Sequence, residues 1–384
     1  LSPKRVLHFY KDFDPPVVGG IERMIRWTAT RTARRPGVEV KVLVARPADP
    51  ALAEGLPDRE VIQGVEVIRL PTRGRPGGAP LFAGVLRALR DLKPDLIHLH
   101  HPCPTCDLAL WRLSARERPP FVVTWHSDVV RQKLAYRAYQ PLQRWMLRHA
   151  AFVMPTSERY LASSAQLAPA REKCRVVPLG IDFDEAVPPP DPVRVAAWRE
   201  RLGPEPVVLF VGVLRYYKGL HDLLDAWARV ASPAKLVIAG AGPLRDELEA
   251  RAKALGSRGA SVVFAGRVDD PDAAALRSLA SVAVLPSHLR AEAFGLSQVE
   301  AMAAGLPVIA CDLDTGVPEV NRHDVSGLIV PPRDPAALAD ALDALLRDGA
   351  LRERLGQGAR ERARSLYGAD RMEEEIFRVY YEVN

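Results

Sequence analysis

Two glutamates stand eight positions apart in Glu292-Ala-Phe-Gly-Leu-Ser-Gln-Val-Glu300, ahead of Ala-Met-Ala-Ala-Gly-Leu-Pro-Val-Ile-Ala. The pattern predicts a loop, one short helix, a glycine stop and a buried strand. Glu292 falls on the loop and Glu300 in the first helical turn. A helix start offers unpaired N–H groups and the positive end of the peptide dipole, which suits an anion. Carboxylates beside such a site suit hydroxyls better than phosphate, so the combination fits a sugar joined to a diphosphate. Ser297-x-x-Glu300 also reads as a capping box, a reciprocal hydrogen-bond pair that starts helices. That reading explains Glu300 without a ligand, but not Glu292.

Cations for the diphosphate stand in Phe210-Val-Gly-Val-Leu-Arg215-Tyr-Tyr-Lys218-Gly219. Arg grips phosphate oxygens in pairs, and Lys adds a point charge. A helix start disfavours cations, which argues against Arg215 and Lys218 being mere solvated charge. Gly19-Gly20 lets the backbone approach a phosphate or sugar, though a plain turn explains it too. Gly240-Ala-Gly242-Pro243 ends a strand in a Gly-x-Gly turn. A dinucleotide fingerprint would need a third glycine where Arg245 stands, so NAD binding is a weak reading. Gly266-Arg267-Val268 ends another strand, an opening for a base edge.

In the first half, His126 ends an apolar strand, Val122-Val-Thr-Trp-His. Such a histidine is either structural or a ligand contact. His98, His100 and His101 precede Cys103-Pro-Thr-Cys106, which resembles a metal cluster. However, His98 and His100 fall within an apolar strand pattern and no second ligand pair follows, so strand-end packing is preferred and no metal is expected. The run 131–148 carries five cations, no acids and interleaved aromatics. It reads as a basic amphipathic helix, suited to an anionic membrane surface or packed with a solvated basic face.

The elements that must position these residues alternate. Short apolar strands and helices succeed each other from Lys4 to Pro178, with strands predicted at Lys4–Tyr10, Leu96–His100, Phe121–His126 and Arg175–Pro178 among others. Ala186-Val-Pro-Pro-Pro-Asp-Pro192 predicts a stiff linker, because three prolines continue neither helix nor central strand. The alternation then restarts, and Asp370–Glu382 closes the chain as a helix. This predicts an α/β protein of two doubly wound, Rossmann-like domains, over 1–187 and 193–367, with 368–384 as a C-terminal helix. Ligands of such sheets bind outside the carboxyl ends of the strands, so both domains are expected to face a central cleft.

Composition sets outer bounds. The 384 residues are 48 % hydrophobic and 26 % charged, a globular balance too long for one ordinary core. The net charge of +6 is uneven. Through Glu185 there are 29 Lys and Arg against 19 Asp and Glu; the remainder has 24 against 28. A basic first half suits an anionic partner, a membrane surface or lipid phosphate as well as nucleic acid, or is plain surface charge for solubility. Four cysteines suggest no disulfide framework, and the chain opens straight into a strand. A cytoplasmic protein without signal peptide or membrane span is expected.

Taken together, these motifs resemble the retaining glycosyltransferases of family 4, whose architecture is GT-B. The resemblance covers nearly the whole chain and is most specific from Glu292 to Val308, with Gly316-Val-Pro-Glu-Val320 and Gly327-Leu-Ile-Val-Pro331 downstream. It implies that Glu292 holds donor-sugar hydroxyls, helped by the backbone of Phe294, Gly295 and Leu296. Glu300 would hold the ribose and Lys218 the diphosphate. Gly19 and Gly20 would line the donor phosphate and acceptor side, and His126 would contact the donor sugar. It further implies a final helix crossing back to the first domain. Two positions depart from the family. Val213 stands where it has arginine, so Arg215 would supply that charge, and Thr315-Gly316 replaces Gly-Gly. Trp125–Lys133 and Thr315–Asn321 are similar to bacterial surface-polysaccharide transferases, several of which use GDP-mannose. The expected activity is transfer of a hexose from a nucleotide-diphosphate sugar to a lipid-linked or glycan acceptor. No metal, other cofactor or nucleic-acid partner is expected, and the protein would lie peripherally on the inner membrane face. Alternatives are a GT-B epimerase, a non-catalytic nucleotide-sugar-binding protein, and an NAD dehydrogenase.

Overall fold

A computed structural model describes residues 4–130 and 133–383. The chain forms two compact units, residues 1–180 with 369–384, and residues 181–368. Each is built on one sheet.

The first sheet has strands β1 (Arg5–Phe9), β2 (Glu39–Ala45), β3 (Arg59–Ile62), β4 (Val65–Leu70), β5 (Leu96–His101), β6 (Phe121–Trp125) and β7 (Phe152–Pro155), in the order β3-β4-β2-β1-β5-β6-β7. All pairs are parallel except β3–β4, a hairpin turned at Gln63 and Gly64, both at positive φ. Two such residues make the turn whose twist suits a hairpin. β1, β5 and β6 are mainly apolar apart from their histidines and, beyond the exposed Arg5, are buried on both faces, as the sequence pattern requires of central parallel strands. Arg175–Pro178 does not become a strand. Arg175 and Val177 each donate to the carbonyl ends of β7, at Val153 and Pro155, but only an isolated bridge at Cys174 results.

The final helix, Ala369–Glu382, belongs to this first unit. It packs Met372, Ile376, Phe377 and Tyr380 inward and lies against the helix Gly20–Thr32. Polar contacts fix its register: Glu373 accepts from Thr32 and from both Nε and Nη2 of Arg35, and Asp370 accepts from Arg31.

The second sheet has β8 (Val207–Val211), β9 (Lys235–Ala239), β10 (Val262–Gly266), β11 (Ala280–Leu285), β12 (Val308–Cys311) and β13 (Gly327–Val330), in the order β10-β9-β8-β11-β12-β13. Every pair is parallel. The proline run lies inside this unit, between the helices Phe183–Ala186 and Pro192–Leu202. The second helix has Pro192 in its first turn and Asp191 as its cap, so proline opens a helix here instead of forbidding one. Its Trp198 and Leu202 pack on Leu209, Val237 and Leu276, with Val268 closing the cluster. Each such leucine contributes about 1.5–3 kcal/mol by leaving water.

In both sheets the order reverses beside the first strand of the unit. A crevice opens at such a reversal, outside the carboxyl ends of the two diverging strands. In the second sheet these are β8 and β11, and the segments that follow them carry Lys218 and Glu292.

Candidate active site

Glycine geometry brings the second unit's site together. β8 ends at Gly212 and leads to a tight turn, Tyr216–Lys218, closed by Gly219 at φ +68°. A Cβ on Gly219 would sit 1.8 Å from the Pro286 carbonyl oxygen just past β11. Only a bare glycine lets the two strand ends pass this closely. The His288 N–H then donates to the Tyr217 carbonyl at 3.0 Å.

This approach puts Lys218 Nζ 2.6 Å from Glu292 Oε2, and the Ser287 hydroxyl donates to the same oxygen at 2.8 Å. Both charged residues are 8 % exposed. Burial pulls the Lys218 ammonium down, but Glu292 and then Tyr217 outweigh it and hold it above its ordinary range. The resemblance assigns these two side chains to different parts of one ligand; the structure joins them directly. Arg215 is exposed at the head of the same turn, and its charge opposes that of Lys218. Val213 is exposed nearby.

Gly242 and Gly240 have a packing duty. A Cβ on Gly240 would lie 1.9 Å from the Gly212 carbonyl oxygen, and one on Gly242 2.5 Å from that of Leu214. The loops after β8, β9 and β10 are knitted by Gly212 N–H to Ala239 O, Leu214 N–H to Ala241 O and Gly240 N–H to Gly266 O. Arg267 is exposed at the end of β10, whereas Val268 is given to the core cluster.

The capping box does not form. The helix spans Leu296–Ala303, with Gly295 as its cap at φ 78°, ψ 68° and no side-chain capping bond. The left-handed glycine starts the helix one residue before Ser297, which therefore lies inside it and cannot cap it. Gln298 takes over the fastening. It is buried and donates to the carbonyls of Phe294 and Val317. Phe294 is buried edge-on against Tyr367. Glu300 Oε2 instead accepts from Arg277 Nη1 at 3.2 Å, while Arg277 Nη2 donates to the Ala186 carbonyl at 2.7 Å. Arg277 escaped the sequence analysis; its only signal was an arginine on the apolar side of a helix.

In the first unit, Gly19 is the extended N-cap of the helix Gly20–Thr32. A Cβ there would fall 2.2 Å from Glu22 Oε2, so the glycine makes room for that carboxylate. Burial pushes the Glu22 carboxyl up, against its own backbone N–H and Lys11. Glu22 is a second residue the sequence reading passed over. His126 follows β6, is 4 % exposed, and is bonded through Nε2 to His100 Nδ1 at 3.2 Å. Burial, then Lys11, lowers it to about 3.

The cysteines beside these histidines form no thiolate pair. Cys103 and Cys106 are joined in a disulfide across the first turn of the helix Pro104–Arg112, a single short bridge where the sequence suggested no disulfide framework. Cys174 and Cys311 are free. Of the basic run, Arg131 and Gln132 lie outside the described residues. The remainder forms the helix Lys133–His149, burying Met146 and Leu147 and exposing Leu134, Arg137, Arg144 and Arg148. Among the described residues no helix is long and apolar enough to cross a membrane.

Known proteins share the sequence and fold of both units. Residues 19–180 match the glycosyl transferase 4-like domain and residues 196–362 the glycosyl transferases group 1 family. The chain belongs to the group 1, family 4 glycosyltransferases, and its fold is GT-B. It is 39 % identical over 370 residues to D-rhamnosyltransferase WbpZ of Pseudomonas aeruginosa, covering 95 % of this chain and 92 % of that protein. It is 36 % identical to O-antigen chain mannosyltransferase C of Escherichia coli, covering 98 % of both. Among solved structures, Anabaena HepE in complex with UDP and glucose superposes with a TM-score of 0.80 at 21 % identity, over 98 % of this chain and 99 % of that one.

Proposed function

We propose that this glycosyltransferase is a retaining, metal-independent hexosyltransferase of cell-surface glycan synthesis. Its first-choice donor is GDP-mannose, and its acceptor is a hydroxyl on a lipid-linked or polysaccharide chain. The relatives named for mannosyl and rhamnosyl transfer support the class, because they match the chain almost end to end.

The observation that carries the chemistry is the buried Lys218–Glu292 contact at the reversal between β8 and β11. A buried ion pair is costly to maintain unless both partners are held in good geometry. Here Ser287 and the Gly219 approach hold it. When donor binds, the diphosphate takes the ammonium of Lys218, with Arg215 adding charge from the turn. Glu292 then accepts from sugar hydroxyls, and Glu300 from the ribose. The pair is the resting form of two ligand groups, kept aligned and neutral before the donor arrives.

In the reaction, the bond from the anomeric carbon to the diphosphate oxygen breaks while the acceptor oxygen attacks from the same face. The departing diphosphate oxygen takes the acceptor's proton. No carboxylate nucleophile is needed, and the rate comes from positioning and from charge stabilisation on the leaving group. Gly19, Gly20 and His126 serve the acceptor side and the sugar edge. The exposed Arg137, Arg144 and Arg148 serve an anionic membrane surface on the cytoplasmic side.

A thermal-shift screen of GDP- and UDP-sugars tests the donor, since a ligand that binds only the native state raises stability. HepE was crystallised with UDP, so the UDP arm is a true competitor. The reading fails if no nucleotide sugar stabilises the protein and Glu292→Ala leaves glycan synthesis intact in the producing cell. Sugar turnover without any acceptor would favour an epimerase instead.

A further inference from the structure

Four histidines share one face of the first sheet. His8 on β1 pairs in register with His98 on β5, and His100 follows two residues later on the same face. His126 follows β6 on that face, two residues beyond Thr124. His98 stands apart chemically, because both its nitrogens are taken by hydroxyls, Tyr380 at 2.6 Å and Thr124 at 2.7 Å. That also argues against reading His8, His98 and His100 as a metal site, although their nitrogens lie within 4.8 Å of one another.

The other three form a chain. His8 Nδ1 lies 3.0 Å from His100 Nε2, and His100 Nδ1 lies 3.2 Å from His126 Nε2. Both outer atoms, His8 Nε2 and His126 Nδ1, are buried without a hydrogen-bond partner. Burial keeps these rings neutral, helped at His126 by Lys11 and at His100 by its histidine neighbours: His8 and His126 are held at about 3 and His100 well below its ordinary value.

A neutral imidazole has one N–H and one lone pair. Each link therefore needs a donor on one side and an acceptor on the other. Two arrangements satisfy both links, with all three rings protonated at Nδ1 or all three at Nε2. The second strands an N–H on His8 Nε2, in a place fully shut from solvent. The first leaves a bare lone pair there and puts the spare N–H on His126 Nδ1, which is equally buried and unpartnered within the protein but lies at the carboxyl end of the sheet, where a ligand oxygen can accept it. A buried orphan N–H is rarer in proteins than an under-used acceptor. Lys11 pulls the other way, since a cation near His126 prefers a lone pair, but Lys11 is itself only half-buried and partly solvated.

We infer that His8 and His100 are positioning residues that lock His126 as an Nδ1–H donor toward a ligand oxygen. His126 is therefore a hydrogen-bond donor at that atom and not a base. The lock is a property of the chain alone. Its use on a hydroxyl or phosphate oxygen of a sugar nucleotide rests on the transferase function.

Two-bond proton–nitrogen NMR of 15N-histidine protein reads the tautomer directly, with peaks assigned through single His→Gln variants. At neutral pH, His126 is expected to be protonated at Nδ1 only. An Nε2–H tautomer or an imidazolium overturns the inference. His100→Gln offers either donor or acceptor to His126 and is expected to release it into a mixture. An unchanged His126 in His100→Gln overturns the lock. In turnover, His100→Gln is expected to lower kcat about tenfold with little change in donor KM. An unchanged kcat removes the positioning role. Should the wild-type protein transfer no sugar, the transferase proposal fails, while the NMR result still decides the tautomer.

Discussion

The two units solve the same problem in opposite ways. Both bury polar side chains beside the central strands of a parallel sheet. Beside its central strands the first unit buries neutral rings, with His8, His98, His100, His101 and His126 all pushed down by burial, while its buried ion pairs, such as Arg26–Asp14, lie off those strands. The second buries charges, in Lys218–Glu292 and Arg277–Glu300, whose partners are held within 2.6 and 3.2 Å. Neutral rings satisfy one another by hydrogen bonds and need no counter-ion. Buried charges are tolerated only in pairs, and a pair can be opened by a ligand that offers better partners. The contrast suits a first unit that orients a substrate and a second that neutralises a leaving group.

Acid should break the comparison most severely. A histidine held near 3 when folded and at 6.5 when unfolded gains its proton on unfolding. The stability it contributes is full above about 6.5 and is lost as the pH falls toward 3. Asp107 runs the other way. Burial pushes its carboxyl up to about 7 against the pull of the Tyr139 hydroxyl, so its contribution is full below about 4 and lost between about 4 and 7. Five histidines outweigh one carboxyl. Hydrogen exchange by mass spectrometry at pH 7, 5.5 and 4.5 is expected to show peptides of the first unit opening well before those of the second. Equal or reversed loss would refute the contrast.

Lys218→Ala is the next largest perturbation. It strands Glu292 in the core, at a cost of about 3–5 kcal/mol, and is expected to cut transfer by at least ~10²-fold. Urea titration and single-turnover kinetics measure the two effects. The pair Lys218→Met with Glu292→Leu separates them, because an apolar replacement restores most of the stability and none of the activity. A double variant as unstable as the single one would mean the pair is not the source of the cost.

Gly240→Ala should follow. Its residue sits at φ +150°, with the Gly212 carbonyl where a Cβ would go. The strain is expected to cost about 1–3 kcal/mol and to weaken nucleotide binding by parting the loops after β8 and β9. Calorimetry with the tightest nucleotide of the thermal screen checks both. Full binding at an unchanged melting temperature would show that the loops part freely.

Much of the fold is legible in the chain because central parallel strands are largely apolar. β5, β6, β8 and β9 announce themselves in this way. β3 does not, since its exposed edge alternates in burial and its hairpin turn, Gln63-Gly64, lacks the usual Asn or Asp. Arg175–Pro178 has a strand's composition but makes too few bonds to β7 to become one. The site residues are legible one by one, as a glycine, a lysine and a glutamate at strand ends. Their pairing is not, because Lys218 and Glu292 are 74 residues apart and are brought together by the Gly219–Pro286 approach and the His288–Tyr217 hydrogen bond. His8 was missed for the same reason: nothing near it in sequence marks it as the neighbour of His100.

The smallest expected effect is the most discriminating about Glu300. If Ser297 capped the helix, Ser297→Ala would cost about 1 kcal/mol. The helix is started instead by Gly295 in the left-handed region, so the change should stay within about 0.5 kcal/mol. Gln298→Ala, one residue on, removes the donor to Phe294 and Val317 and should cost about 1–3 kcal/mol. Chemical denaturation of the two variants side by side settles which residue holds the loop. A costly Ser297→Ala would return Glu300 to the cap. A silent one leaves Glu300 answerable to Arg277 and to a ligand, and Glu300→Gln should then lower nucleotide affinity without moving the helix.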